Sequence, residues 1–175
     1  MRLRRKSEIA AVFVVAAVAS AAISGCSSAG CIDNRNSVPL AGFRSIDTGQ
    51  AVTLGSIAVA GVGAPNDSLL LDPRKTAASV YLPFRATRQE CAFSFTYESL
   101  DPVESDTVSF TYVAEPRFVS EECGAMYFYR ITGVSHTGIL IDSVAVAGDS
   151  LVTNIERETI AIYFRTAGPD EGPEQ

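Results

Sequence analysis

Apolar and polar side chains alternate with a period of two through most of this chain, the pattern of half-buried strands and not of helices. Over residues 91–97, Phe93, Phe95 and Tyr97 face one way and Ser94 and Thr96 the other. Val108, Phe110 and Tyr112 repeat the pattern against Thr107, Ser109 and Thr111. Between these runs the turn-forming Asp101-Pro102, followed by Glu104 and Asp106, predicts a hairpin. Further strands are predicted at residues 40–46, 52–59, 68–71, 78–84, 126–134, 139–146 and 159–164, in a chain broken repeatedly by Gly, Pro, Asn and Asp. Pro83 predicts that its strand is an edge strand or carries a bulge. Residues 150–158 have room for one helical turn. Eight or nine short strands in a region of about 150 residues predict an all-β fold, an antiparallel β-sandwich of immunoglobulin-like type.

The N-terminus departs from this pattern. Arg2, Arg4, Arg5 and Lys6 form a basic head, residues 9–22 an apolar run, and small residues then precede a cysteine. This is the composition of an export signal, and the run falls short of the roughly 20 residues that span a bilayer as a helix. The tetrapeptide Ile23-Ser24-Gly25-Cys26 resembles the lipobox of bacterial lipoproteins. By that resemblance Cys26 becomes the first mature residue, linked to a diacylglycerol and acylated, commonly with palmitate, on its amine. Several buried acyl chains hold a protein at a membrane where one would let it go. Cys31 is a poorer match, because the polar Ser28 stands three residues before it. The organisation expected is a signal peptide at 1–25, a lipidated flexible tether at 26–37, a β-sandwich at 38–166 and a disordered acidic tail at 167–175.

Charge narrows the partners. Residues 1–25 carry four of the 14 basic and one of the 20 acidic residues, so their removal moves the formal charge from −6 to about −9. A domain this acidic is repelled by nucleic acid and by anionic headgroups. Nucleic acid is therefore excluded as a partner, and membrane contact is left to the lipid.

With Cys26 lipidated, three cysteines remain, and three thiols cannot all pair within one chain. A bridge from Cys31 to Cys123, which lies in the turn Glu121-Glu122-Cys123-Gly124, would tie the tether to the domain. It would leave Cys91 a buried free thiol. The competing pair is Cys91 with Cys123. No CxxC occurs and His136 is the only histidine, which argues against zinc.

The order of a lipobox cysteine, a second cysteine close behind, Gly61-Val62-Gly63-Ala64-Pro65-Asn66-Asp67-Ser68-Leu69, Val80-Tyr81-Leu82-Pro83-Phe84, Cys91-Ala92-Phe93, Asp106-Thr107-Val108-Ser109-Phe110-Thr111-Tyr112, Glu122-Cys123-Gly124 and Ile160-Ala161-Ile162-Tyr163-Phe164 looks like a family of small Bacteroidota lipoproteins. The family is classed as a domain of unknown function. The resemblance implies a Gram-negative cell envelope and a β-sandwich, and it supplies no catalytic residues. Surface-exposed lipoproteins of that phylum tend to carry acids directly after the lipidated cysteine. Ser27, Ser28, Ala29 and Gly30 are neutral here, which implies the periplasmic face of the outer membrane. Four tripeptides, Asp67-Ser68-Leu69, Asp106-Thr107-Val108, Asp142-Ser143-Val144 and Asp149-Ser150-Leu151, are similar to the O-glycosylation acceptor of Bacteroidota envelope proteins. That makes Ser68, Thr107, Ser143 and Ser150 candidate acceptors. Turns closing onto strands would produce the same tripeptides, on the surface either way.

The sequence holds no GxSxG, HExxH or Walker motif, and Gly61-Val62-Gly63 is followed by strand residues and not by the helix a phosphate cradle needs. His136 lies in a predicted surface turn. Asp101, Glu104 and Asp106 crowd one loop as weak calcium candidates, without the spacing of an EF-hand. No cofactor is implied. The function expected is that of a non-catalytic envelope lipoprotein that binds an envelope protein or a glycan, with Tyr81, Tyr127, Tyr129 and Tyr163 as candidate platforms or core. The alternatives are a hydrolase with a dispersed site built on His136 or paired carboxylates, and a calcium- or glycan-binding module.

Overall fold

The computed structural model describes residues 37–64, 68–120, 124–153 and 156–165, all within the compact unit Asn34–Gln175. Ten strands run in chain order: β1 Leu40–Ser45, β2 Ile57–Gly61, β3 Leu69–Leu71, β4 Ser79–Tyr81, β5 Glu90–Tyr97, β6 Glu104–Ser120, β7 Gly124–His136, β8 Ile141–Val146, β9 Leu151–Val152 and β10 Glu158–Phe164. They form a four-stranded sheet of order β4-β1-β10-β8 and a six-stranded sheet of order β3-β2-β5-β6-β7-β9. The expected β-sandwich is present. One pair, β1 with β10, is parallel, with Phe43 opposite Ile162.

Alternation places the core. Phe93, Phe95 and Tyr97 of β5 and Val108, Phe110 and Tyr112 of β6 are all buried, as their period requires. Phe43, Ile160, Ile162 and Phe164 meet them from the other sheet, with the Phe95 and Phe164 rings 6.5 Å apart across the interface. Each such side chain contributes about 1.5–3 kcal/mol when withdrawn from water. In β1, Gly42 leaves room for the Glu158 carboxylate, which overlaps the position a Cβ would take and is thereby free to receive the Arg44 guanidinium at 2.7 Å.

Pro83 follows β4, which is an edge strand, and the strand ends at Tyr81 before the ring would interrupt a ladder. Residues 150–158 hold no helical turn among their described members; instead β9 adds two residues to β7, with Tyr129 opposite Val152. β6 is also longer than its alternation foretold. Its pairing with β5 stops at Thr111, while its pairing with β7 continues to Ser120. Pro116 is tolerated there for a directional reason. Tyr112 N donates to Gln89 O at 2.8 Å, towards the β5 side, and Pro116 is in phase with Tyr112, so its missing N–H falls on the open side of the ribbon.

Candidate functional site

The densest polar cluster is built on Asp106, which is fully buried. It shares the inward phase of Val108 and Phe110, so β6 carries its carboxylate into the sandwich at the end where the chain leaves β7 for β8. One oxygen accepts from the Thr137 hydroxyl at 2.7 Å and from Ile139 N at 2.8 Å. The other accepts from the Tyr97 hydroxyl at 2.6 Å, Leu140 N at 2.8 Å and Ile141 N at 2.9 Å. Burial, the largest single influence, would raise the Asp106 pKa, but the Tyr97, Ile141, Ile139 and Thr137 hydrogen bonds together hold it below the usual carboxylate value. Burial and then the Asp106 carboxylate push the Tyr97 phenol up. The cluster fastens the crossover between sheets, and with five donors on two oxygens it has no lone pair left for a cation.

That corrects the calcium reading of the β5–β6 loop. Asp101 and Glu104 are exposed while Asp106 points inward to backbone amides, and no group of three metal-ligating side chains occurs among the described residues. His136 is the last residue of β7 and is exposed, with Nδ1 2.7 Å from Thr137 O. The expectation that the four acceptor tripeptides sit in turns also needs correcting. Thr107 lies within β6 and Ser143 within β8, both half-buried, because each tripeptide continues the alternation of its strand. Ser68 is exposed just before β3, and Ser150 occupies a turn with a positive φ of 61°. Tyr129 is core at 2% exposure, while Tyr81 and Tyr127 are exposed. Cys91 is a half-buried free thiol. Burial pushes that thiol up to about 12. Cys26, Cys31, Cys123 and the segments expected to be signal peptide, most of the tether and the acidic tail lie outside the described residues. Among the described residues no helix is long and apolar enough to cross a membrane.

A second site was not singled out from the sequence. Among the described arginines, Arg44, Arg74, Arg117, Arg130, Arg157 and Arg165 each have a carboxylate partner at 2.7–3.7 Å. Arg85 and Arg88 have none, and they share one exposed turn closed by Arg88 N donating to Arg85 O at 3.1 Å. The Tyr112 hydroxyl holds the turn from below, accepting from Arg85 N at 3.1 Å and donating to Arg85 O at 3.0 Å. Phe84, one residue earlier, stacks on Tyr112 with ring centroids 4.4 Å apart and meets Tyr129 edge-on at 5.7 Å. The turn is therefore fixed to the aromatic core. The sequence signal was present, since Arg85 and Arg88 stand three apart in an acidic chain with no acid between them.

Three concavities meet at this corner, and Arg88 and Glu90 line all of them. The first, about 210 Å³, holds both arginines against Gly61, Val62 and Cys91. The second, about 560 Å³, runs over the outer face of the six-stranded sheet, on Ser109, Thr111, Gly133 and Ser135. The third, about 590 Å³, lies where β6 outruns β5, on Thr111, Val113 and Thr132. Side chains here are short because alternation sends the bulky partners of β5 and β6 inward. The result is a shallow, hydroxyl-bearing surface beside two unpaired cations.

Comparison with known proteins adds a family and no activity. The chain matches no curated protein and no solved structure. A family model matches residues 56–164, a span from β2 to the end of β10 that contains Asp106, Arg85, Arg88 and Cys91. The chain belongs to that family, which is described as a family of unknown function (DUF6452).

Proposed function

We propose that this protein is a non-catalytic binding module of a Gram-negative cell envelope, anchored by acyl chains on Cys26 and facing the periplasm from the outer membrane. The anchor rests on the basic head, the apolar run and the Ile23-Ser24-Gly25-Cys26 match. The binding role rests on one observation, the open corner where three concavities meet at Arg88. Broad shallow surfaces with unpaired charge suit association, whereas the polar cluster around Asp106, the densest among the described residues, is consumed in holding the fold. Cys31 and Cys123 would tie the tether to the domain, and Ser68, exposed before β3, is the acceptor best placed for a glycan.

Metabolic labelling with palmitate and fractionation of envelopes test the anchor. The full chain should carry label and sediment with outer membrane, and Cys26→Ala should lose the label and appear in the soluble fraction. An unlabelled wild-type chain would overturn the anchor. Turnover of an envelope ester or glycan that disappears on His136→Ala would overturn the non-catalytic reading.

A further inference from the structure

The unpaired arginine turn has chemistry more specific than a generic contact surface. Arg85 and Arg88 line the same cleft of about 210 Å³ and keep their charge unneutralised, although six other described arginines have carboxylate partners. Guanidinium groups match carboxylate and phosphate geometry through paired N–H donors. The turn that carries them is preorganised by both hydrogen bonds of the Tyr112 hydroxyl, so little ordering remains to be done on binding.

Its surroundings discriminate among anions. Glu90 shares all three concavities yet takes part in none of the ion pairs among the described residues, so a bare anion entering the corner meets a like charge. A ligand that also brings hydroxyl donors turns that carboxylate into an acceptor. Ser109, Thr111 and Ser135 extend the same requirement along the adjoining floor, which is kept low at Gly133, where a Cβ would come 2.7 Å from Thr111 Oγ1. An anionic group next to a run of hydroxyls is an acidic sugar.

We propose that the Arg85–Arg88 corner binds an acidic saccharide, the two guanidinium groups taking its carboxylate or phosphate while Glu90 and the Ser and Thr hydroxyls of the outer face take its sugar hydroxyls. The proposal deepens the binding-module reading above and rests on it. It names the ligand class as a uronic acid glycan or a sugar phosphate.

The test uses the full lipidated chain in neutral detergent, titrated calorimetrically with trigalacturonate, glucosamine 6-phosphate, a neutral galactose trisaccharide and inorganic phosphate. At least one of the two charged sugars should bind about tenfold or more tightly than both the neutral trisaccharide and inorganic phosphate. Arg85→Gln and Arg88→Gln should each weaken it by about tenfold, and binding should fall as salt rises. Arg74→Gln, on an arginine already paired with Asp72, should leave it within about twofold. Both corner variants alter exposed side chains, so their unfolding midpoints should match wild type, which separates lost binding from lost fold. Binding of neither charged sugar, equal binding of the neutral trisaccharide or of inorganic phosphate, or indifference to both arginine variants would overturn the site, with the palmitate anchor unaffected. Recovery of cleaved trigalacturonate would instead overturn the non-catalytic reading while the site stands.

Discussion

Replacing Asp106 by Asn keeps the shape of the side chain and removes its charge and one acceptor. An amide oxygen in the better-served position keeps Tyr97, Leu140 and Ile141, which leaves the NH2 group facing Thr137 and Ile139. The Thr137 hydroxyl can turn to accept; the Ile139 N–H cannot. Hydrogen bonds to a charged group contribute about 1.5–3 kcal/mol each, and an orphaned buried donor costs about 1–3 kcal/mol. Asp106→Asn should therefore destabilise by about 3 kcal/mol. Asp106→Ala, which strands three amides and two hydroxyls, should cost about 5 kcal/mol, a large part of a typical domain's stability. Urea unfolding followed by fluorescence or circular dichroism should show the midpoint falling by about 1 M or more for Asn at unchanged slope. A loss within about 0.5 kcal/mol, the range of an ordinary surface change, would refute the reasoning. The pH dependence has a definite sign. Because folding lowers the Asp106 pKa from its ordinary 3.8, the unfolded chain takes up its proton first as pH falls. The stabilisation is complete above the unfolded value and is lost as pH drops through the lower folded one. The gap between wild type and Asn should thus be constant from about pH 8 to 5 and close below about pH 4.

Two more outcomes follow from local geometry. Tyr112→Phe keeps the ring against Phe84 but removes both hydrogen bonds to the Arg85 backbone, so it should cost about 1–2 kcal/mol and speed hydrogen exchange at the Arg85 amide. Unchanged exchange there would show that the turn is held by something else. Cys91, raised to about 12 by burial, should resist alkylation in the native protein at pH 7.5 and react at once in denaturant, while Cys31 and Cys123 are recovered as one linked peptide. A Cys91–Cys123 peptide in non-reducing digests would refute that assignment.

Legibility followed locality. Nine of the strands were visible because period-two alternation is a property of neighbouring residues, and the buried faces of β5 and β6 came directly from it. β9 escaped because two residues are too short to show a period; only β7 alongside makes them a strand. The far half of β6 pairs with β7 alone, and the side to which the missing N–H of Pro116 falls is set only by that pairing. Asp106 is close to Asp101 and Glu104 in sequence, but its phase with Val108 and Phe110 points it inward, away from them. The turn reading of the Thr107 and Ser143 tripeptides conflicts with the alternation that already sets both residues inside predicted strands, and the alternation prevails.

By itself the sequence determined the strand content, the inward faces, the acidity of the domain and the candidate anchor at Cys26, all consequences of composition or of spacing over a few residues. The tertiary structure decided which charges are spent and which remain. Asp106 becomes a structural acceptor only because the β7–β8 crossover brings the amides of Ile139, Leu140 and Ile141 back over β6 after more than thirty residues, and Arg85 and Arg88 are left available only because no described carboxylate pairs with them. Partnership of this kind depends on distance in space between residues remote in sequence, and hydrophobic alternation carries no record of it.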